Sequence, residues 1–218
     1  MSFEPLAQAA MVVRKVEDVR WEDQPCRSVT ASRDYATGID DLWNAITDKA
    51  RIPRWFAPVG GDLELGGRYH IEGNASGTVT ACEPPRSFAL TWEFGGGMSW
   101  VDVALEAAGA GRTRLTLRHI APLDEKSEEF WDRFGPGAVG VGWDLSLMGL
   151  AWHVETGEDS RPRFDEESWA PSEEGKAFVA QCSDAWTAAS IAYGTDEAAA
   201  RRAGALTTAF YTGAPAPE

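Results

Sequence analysis

The chain has 218 residues, 44% hydrophobic and 25% charged, which suits one large globular domain that buries roughly 70% of its unfolded surface without staples. With 20 Lys and Arg against 34 Asp and Glu, the net charge of −14 argues against nucleic acid, because phosphate binding needs a basic stripe. Three separated cysteines, Cys26, Cys82 and Cys182, argue against a disulfide framework or a zinc site and fit a reducing, cytoplasmic setting. The N-terminus lacks the basic start and apolar run of a signal peptide, and no stretch approaches the ~18 apolar residues of a membrane span.

Residues 12–20 and 27–35 read as extended segments around the turn-like Glu22-Asp23-Gln24-Pro25, a first hairpin. Ile39, Leu42, Trp43 and Ile46 follow the i, i+3, i+4, i+7 rule and predict a short amphipathic helix, with Asp40 and Asp41 at its positive end. A second short helical piece around residues 51–56 ends before Pro58. Alternation then predicts strands. Tyr69 and Ile71 share one face, as do Val79 and Ala81. Phe88, Leu90, Trp92 and Phe94 follow, then Val101, Val103 and Leu105, then Leu115, Leu117 and His119. Gly95-Gly96-Gly97 and Gly109-Ala110-Gly111 mark the turns. One apolar and one polar face on each strand implies an antiparallel sheet covered on one side.

The predicted cover is a helix over residues 138–155. Val139, Trp143, Leu147, Leu150 and Val154 form one stripe, and Val141, Leu145, Met148 and Trp152 a nearly opposite one. A helix apolar on two faces needs a second partner besides the sheet. After a polar linker (159–171), two further helices are readable. Phe178, Cys182, Ala185, Trp186, Ala189 and Tyr193 mark the first; Ala203, Leu206 and Phe210 mark the second. These are expected to pack on the Val141 stripe, although a second subunit could serve instead, so monomer and homodimer both stay open. Residues 214–218 are expected to be a loose tail.

The ordered set Leu42-Trp43-Asn44-Ala45-Ile46-Thr47-Asp48, Arg54-Trp55-Phe56, Gly61-Asp62-Leu63-Glu64-Leu65-Gly66-Gly67-Arg68-Tyr69, Gly77-Thr78-Val79, Glu83-Pro84-Pro85-Arg86, Leu90-Thr91-Trp92-Glu93 and Thr113-Arg114-Leu115-Thr116-Leu117-Arg118-His119 resembles the START-like (SRPBCC) superfamily. Within it, the set resembles the bacterial homologues of the activator of heat-shock protein 90 ATPase. The resemblance covers residues 27–155, with 1–26 as an N-terminal extension carrying the first strand and 156–218 as a linker and C-terminal helical extension on the same domain. It implies an α+β helix-grip fold, a curved antiparallel sheet around a long helix with an internal hydrophobic cavity. It implies no single activity, since members include lipid carriers, cyclases, hydrolase-like proteins and co-chaperones.

Candidate chemistry is sparse. Residues 135–140 match GxGxxG, but a dinucleotide site needs a strand before it in a parallel unit; here an acidic helical segment (125–134) precedes it. The glycines instead predict a sharp entry turn and close approach of helix and sheet. His70, His119 and His153 lack metal-ligand spacing, no Gly-x-Ser-x-Gly occurs, and Asp102 and Glu93 fall on the outer face, so no metal, cofactor or catalytic residue is predicted. His119 lies on an apolar face, about 10 Å from Trp92 if residues 95–98 form the hairpin loop and Trp92 pairs near Val101. It is either a core histidine bonded to a carbonyl or a group that orients a ligand. Trp55 and Phe56 are either a gate at the cavity mouth or a plug in the core. The leading expectation is a binding protein for an apolar small molecule, its wall formed by Trp92, Val101, Val103, Leu117 and His119, by Trp143 and Leu147, and by Trp55 and Phe56. A protein-interaction module akin to chaperone activators is second, and a cyclase- or hydrolase-type enzyme third.

Overall fold

Glu22 and Asp23 both adopt positive φ, 48° and 62°, and close a two-residue turn linking β1 (Val13–Trp21) to β2 (Gln24–Tyr35). That turn geometry matches the natural twist of an antiparallel hairpin. The structure is a computed structural model describing residues 3–165 and 167–215; within the tail expected to be loose, residues 216–218 lie outside the described residues.

Helix α1 (Pro5–Ala10) precedes the hairpin, and α2 (Ile39–Thr47) follows it, with Asp40 and Asp41 in its first turn. A single 3-10 turn spans Ile52–Arg54. Six strands follow: β3 (Val59–Gly61), β4 (Arg68–Ile71), β5 (Ser76–Glu83), β6 (Ser87–Phe94), β7 (Gly97–Ala107) and β8 (Thr113–Pro122). Helices α3 (Glu125–Phe134), α4 (Gly137–Thr156), α5 (Glu173–Tyr193) and α6 (Glu197–Thr212) complete the described chain. Side-chain caps start three of them: Asp124 accepts from the Ser127 N–H, Ser172 from Gly175 and Asp196 from Ala199. Among the described residues the fold is therefore α+β of the helix-grip class, with a curved, unclosed eight-stranded antiparallel sheet, a long α4 and two extra C-terminal helices. The strand order is β1-β2-β8-β7-β6-β5-β4-β3. Only α1 and β3 are unanticipated; six and three residues are too few for a periodic signal.

The chain forms two compact units, whose limits cut through β2 and α4. The first contains the residues up to Ala31, Pro122–Met148 and the residues from Pro162 onward. Its core holds Val16, Cys26, Val141, Phe178, Val179, Cys182 and Trp186, all buried. Here the C-terminal helices pack on α4 at glycine positions. A methyl group on Gly140 would overlap the Trp186 indole of α5, and one on Gly137 would sit 3.0 Å from the Thr207 methyl of α6. Gly137, Gly140 and Asp144 thus lie at the contact; of the expected stripe, Val141 and Met148 share their face by helical spacing and are buried, and Leu145 is half-buried. The glycine pair that matched GxGxxG permits close helix–helix approach, where helix–sheet approach was expected.

At the centre of this packing is a buried ion pair. Asp144 of α4, 1% exposed, accepts from Arg14 of β1 through Nη2 at 3.0 Å and Nε at 3.1 Å. The Trp186 indole N–H donates to the same carboxylate at 2.8 Å. Burial pushes the Asp144 carboxyl above the ordinary carboxylate range, while Arg14 and Trp186 pull it back.

The second unit comprises Ser32–Ala121 and Gly149–Arg161. Its apolar interior holds Tyr35, Leu42, Ile52, Val101, Val103, Leu105, Leu115 and Leu117. The outer strand face carries ion pairs: Arg118–Asp102, Arg114–Asp34 and a bidentate Arg68–Glu93. Asp102 and Glu93 therefore have the outward role that alternation predicts.

Candidate functional site

The site is built in the second unit by the pairing of β6, β7 and β8. Gly95 and Gly96, at φ 57° and 73°, form a two-residue turn, so Phe94 pairs with Gly97. The expected loop of residues 95–98 is two residues too long, and every β6 pairing shifts accordingly: Trp92 lies opposite Ser99, and Leu90 opposite Val101. On the other side Val101 pairs with His119 and Val103 with Leu117. Because the residue opposite Trp92 is a small serine, the indole and imidazole close over it, with ring centroids 6.0 Å apart in an edge contact. That is well inside the 10 Å expected from strand spacing.

Ser99 Oγ lies 2.9 Å from His119 Nε2 and 3.3 Å from the Trp92 carbonyl. His119 is 7% exposed, and burial pulls its pKa down to about 4. The imidazole is neutral at neutral pH and weakly basic. A general base works best with a pKa near the operating pH, so this serine–histidine pair is suited to holding a hydrogen-bonding group, not to proton abstraction.

Solvent reaches this face unevenly. Val101, Val103 and Leu117 are buried, at 2%, 4% and 6%. Phe88, Leu90 and Trp92 on β6 are half-exposed, and Trp43 of α2 meets Phe88 edge-on at 6.1 Å. The open part of the inner face is therefore a strip of Trp43, Phe88, Leu90 and Trp92, closed at one end by Ser99 and His119. Of these, the sequence reading assigned only Trp92 and His119 to a site. Ser99 had a signal, as a polar residue in phase with Val101 and Val103.

Trp55 and Phe56, 5.6 Å apart and half-exposed, are held by another set of contacts. The Trp55 indole donates to the Ala45 carbonyl at 2.9 Å, and its carbonyl accepts from Ser160 Oγ at 3.3 Å. Gly149 makes room, since a Cβ there would lie 2.7 Å from the Trp55 carbonyl. Nearby, His153 Nδ1 meets the Glu158 carbonyl at 2.9 Å while Nε2 accepts from Arg51 Nε at 3.1 Å. Trp143 and Leu147 belong to the first unit, half-buried and buried respectively. A groove also lies in that unit, between α5 and α6; it measures about 540 Å³ and is lined by Asp184, Thr187, Arg201, Gly204 and Thr208 among others. None of the expected wall residues lines it. Among the described residues no cluster of His, Cys, Asp and Glu is placed to hold a metal ion, and no helix is long and apolar enough to cross a membrane.

The family model described as Activator of Hsp90 ATPase homolog 1-like protein matches residues 36–155. The solution structure of CalU16 from Micromonospora echinospora is 30% identical, over 84% of this chain and 97% of that one, with a TM-score of 0.68. The crystal structure of CalU16 gives 29% identity over 83% and 98%, with a TM-score of 0.65. DynU16, a protein of the dynemicin biosynthetic locus, is alike in fold, at 24% identity over 61% of this chain and 49% of that one, with a TM-score of 0.54. No curated protein matches the chain. On the extent of the family match and the near-complete coverage of CalU16, the chain belongs to the family of Activator of Hsp90 ATPase homolog 1-like proteins.

Proposed function

We propose that this chain, in a family of ligand-binding and Hsp90-activator-like modules, binds an apolar small molecule along β6. The observation that supports this reading is the half-exposed apolar strip ending in a neutral, buried polar pair. Such a combination, apolar wall plus a few fixed polar groups, is how small-molecule sites orient a ligand. Trp43, Phe88, Leu90 and Trp92 would contact the apolar body, with Val101, Val103 and Leu117 as the closed floor, and Ser99 and His119 would take one hydrogen bond. Trp55 and Phe56, in the same unit, remain part of the proposed wall as a mouth.

Native mass spectrometry of protein purified from its own host tests this. A retained apolar molecule is expected. Its affinity should fall roughly 30-fold in Trp92→Ala, for about 2 kcal/mol of lost apolar contact, and roughly 10-fold in His119→Ala. Repeatedly empty preparations, or affinity unchanged in both variants, would sink the reading.

A protein-binding role is the second reading. It is favoured by an exposed aromatic run in the first unit, where Phe130 and Phe210, 49% and 69% exposed, are joined through Phe134 at 5.4 and 5.9 Å.

A further inference from the structure

β1 is the terminal strand of an unclosed sheet. The turn at Glu22-Asp23 makes Trp21 and Gln24 the closing hydrogen-bonded pair, so odd-numbered residues of β1 bond to β2. Even-numbered residues, Arg14, Val16, Asp18 and Arg20, then direct their N–H and C=O groups to the open edge. Edge strands of nine residues are templates for further pairing unless they are blunted.

The side chains on this strand are arranged in an unusual order. From Val13 to Val19 the sequence is Val-Arg-Lys-Val-Glu-Asp-Val. About Val16 it is symmetric in apolar character at 13/19, and antisymmetric in charge at 15/17 and 14/18. The even side is already occupied within the chain. Val16 is buried, Arg14 is bound to Asp144, and Asp18 accepts the Tyr193 hydroxyl at 2.6 Å. On the odd side Val13 is 70% exposed and the Lys15 side chain 62% exposed, while Glu17 and Val19 are half-buried.

We infer that β1 is a self-complementary edge on which a second copy of this chain pairs, antiparallel, about a twofold axis through Val16. The two Val16 residues form the central hydrogen-bonded pair. Lys15 then faces Glu17 of the second copy, and Glu17 faces its Lys15. Val13 faces Val19, twice. These are non-hydrogen-bonded positions, where opposing side chains come closest. Within one chain Lys15 and Glu17 now pair with each other at 2.8 Å, and the dimer exchanges that contact for two across the axis. Symmetry identifies the occupant. A twofold interface requires each residue's mate to be its own complement, and charge antisymmetry about one residue meets that requirement. Against a foreign strand the same lysine would blunt the edge.

Sedimentation velocity of the full chain from about 1 μM to about 1 mM tests this. A concentration-dependent monomer–dimer equilibrium is expected. Lys15→Glu and Glu17→Lys should each weaken it at least about 10-fold, because the axis doubles every change. The double swap Lys15→Glu with Glu17→Lys should restore it to within about 3-fold. Lys15 and Glu17 bond to each other at the surface, so circular dichroism should be unchanged in every variant. Monomer at all concentrations, a dimer that ignores the single swaps, or a double swap without recovery would each overturn the inference.

Discussion

The Arg14–Asp144 pair offers a quantitative check on how the first unit is held together. Both side chains are almost wholly buried, at 6% and 1% exposed. Arg14 also donates to the Ala9 and Val12 carbonyls at 3.1 and 3.0 Å, so it ties the start of the chain to α4. Asp144→Leu strands the guanidinium and orphans the Trp186 N–H, and should cost about 3–5 kcal/mol. Arg14→Met strands the carboxylate. Since burial already pushes Asp144 up, this variant can relieve itself by taking a proton. A carboxyl with a raised folded pKa contributes stability below its unfolded value and loses it as pH rises through the folded value. Arg14→Met should therefore be close to wild type in acid and progressively less stable toward neutral pH and above. Replacing both, Arg14→Met with Asp144→Leu, removes two desolvation penalties together with one attraction, and should recover to within about 2 kcal/mol of wild type. Urea unfolding followed by tryptophan fluorescence, at several pH values, gives all four corners of the cycle. Single-variant losses below about 1 kcal/mol, or losses that simply add in the double variant, would show that the pair does not organise this core.

Two further outcomes follow from the geometry. Gly140→Ala should destabilise by about 1–3 kcal/mol in thermal melts, because its methyl overlaps the Trp186 indole; a gain of about 1 kcal/mol, as helix propensity alone dictates, would contradict that contact. His119, at about 4 in the fold against 6.5 unfolded, binds its proton more tightly when unfolded, so stability should fall by roughly 3 kcal/mol as pH drops from 6.5 to 4. His119→Leu should flatten that slope in urea titrations at pH 4.5 and 7, and an unchanged slope would remove His119 as its source.

Much of the fold was legible because alternation and helical spacing report burial directly. Val101, Val103, Leu105, Leu115 and Leu117 are the inner face that period-2 counting selects. The turn at residues 95–97 was recognised as a turn but given the wrong length. Three consecutive glycines permit several loops, and the twist of the strands selects the two-residue one. A two-residue error there moves no side chain to the other face, so the inner face stayed right while the neighbours of Trp92 were wrong.

The packing of the C-terminal helices is legible in outline, while its glycine and carboxylate contacts are not, for a related reason. Hydrophobic spacing finds stripes of large apolar residues, and it therefore pointed to Val141, Leu145, Met148 and Trp152. The helices also meet where α4 is smallest, at Gly137 and Gly140, and where it carries a charge, at Asp144. Close approach needs small residues, and a carboxylate belongs in such a seam only if an arginine 130 positions earlier in the chain reaches it. Neither condition leaves a mark in a local window. The same holds for Ser99 and His119. Each by itself is one polar residue on an apolar strand, and only the pairing of β7 with both β6 and β8 brings them within 2.9 Å beneath an indole. Polar groups inside this chain thus acquire meaning through partners distant in sequence, whereas apolar groups reveal theirs through near neighbours.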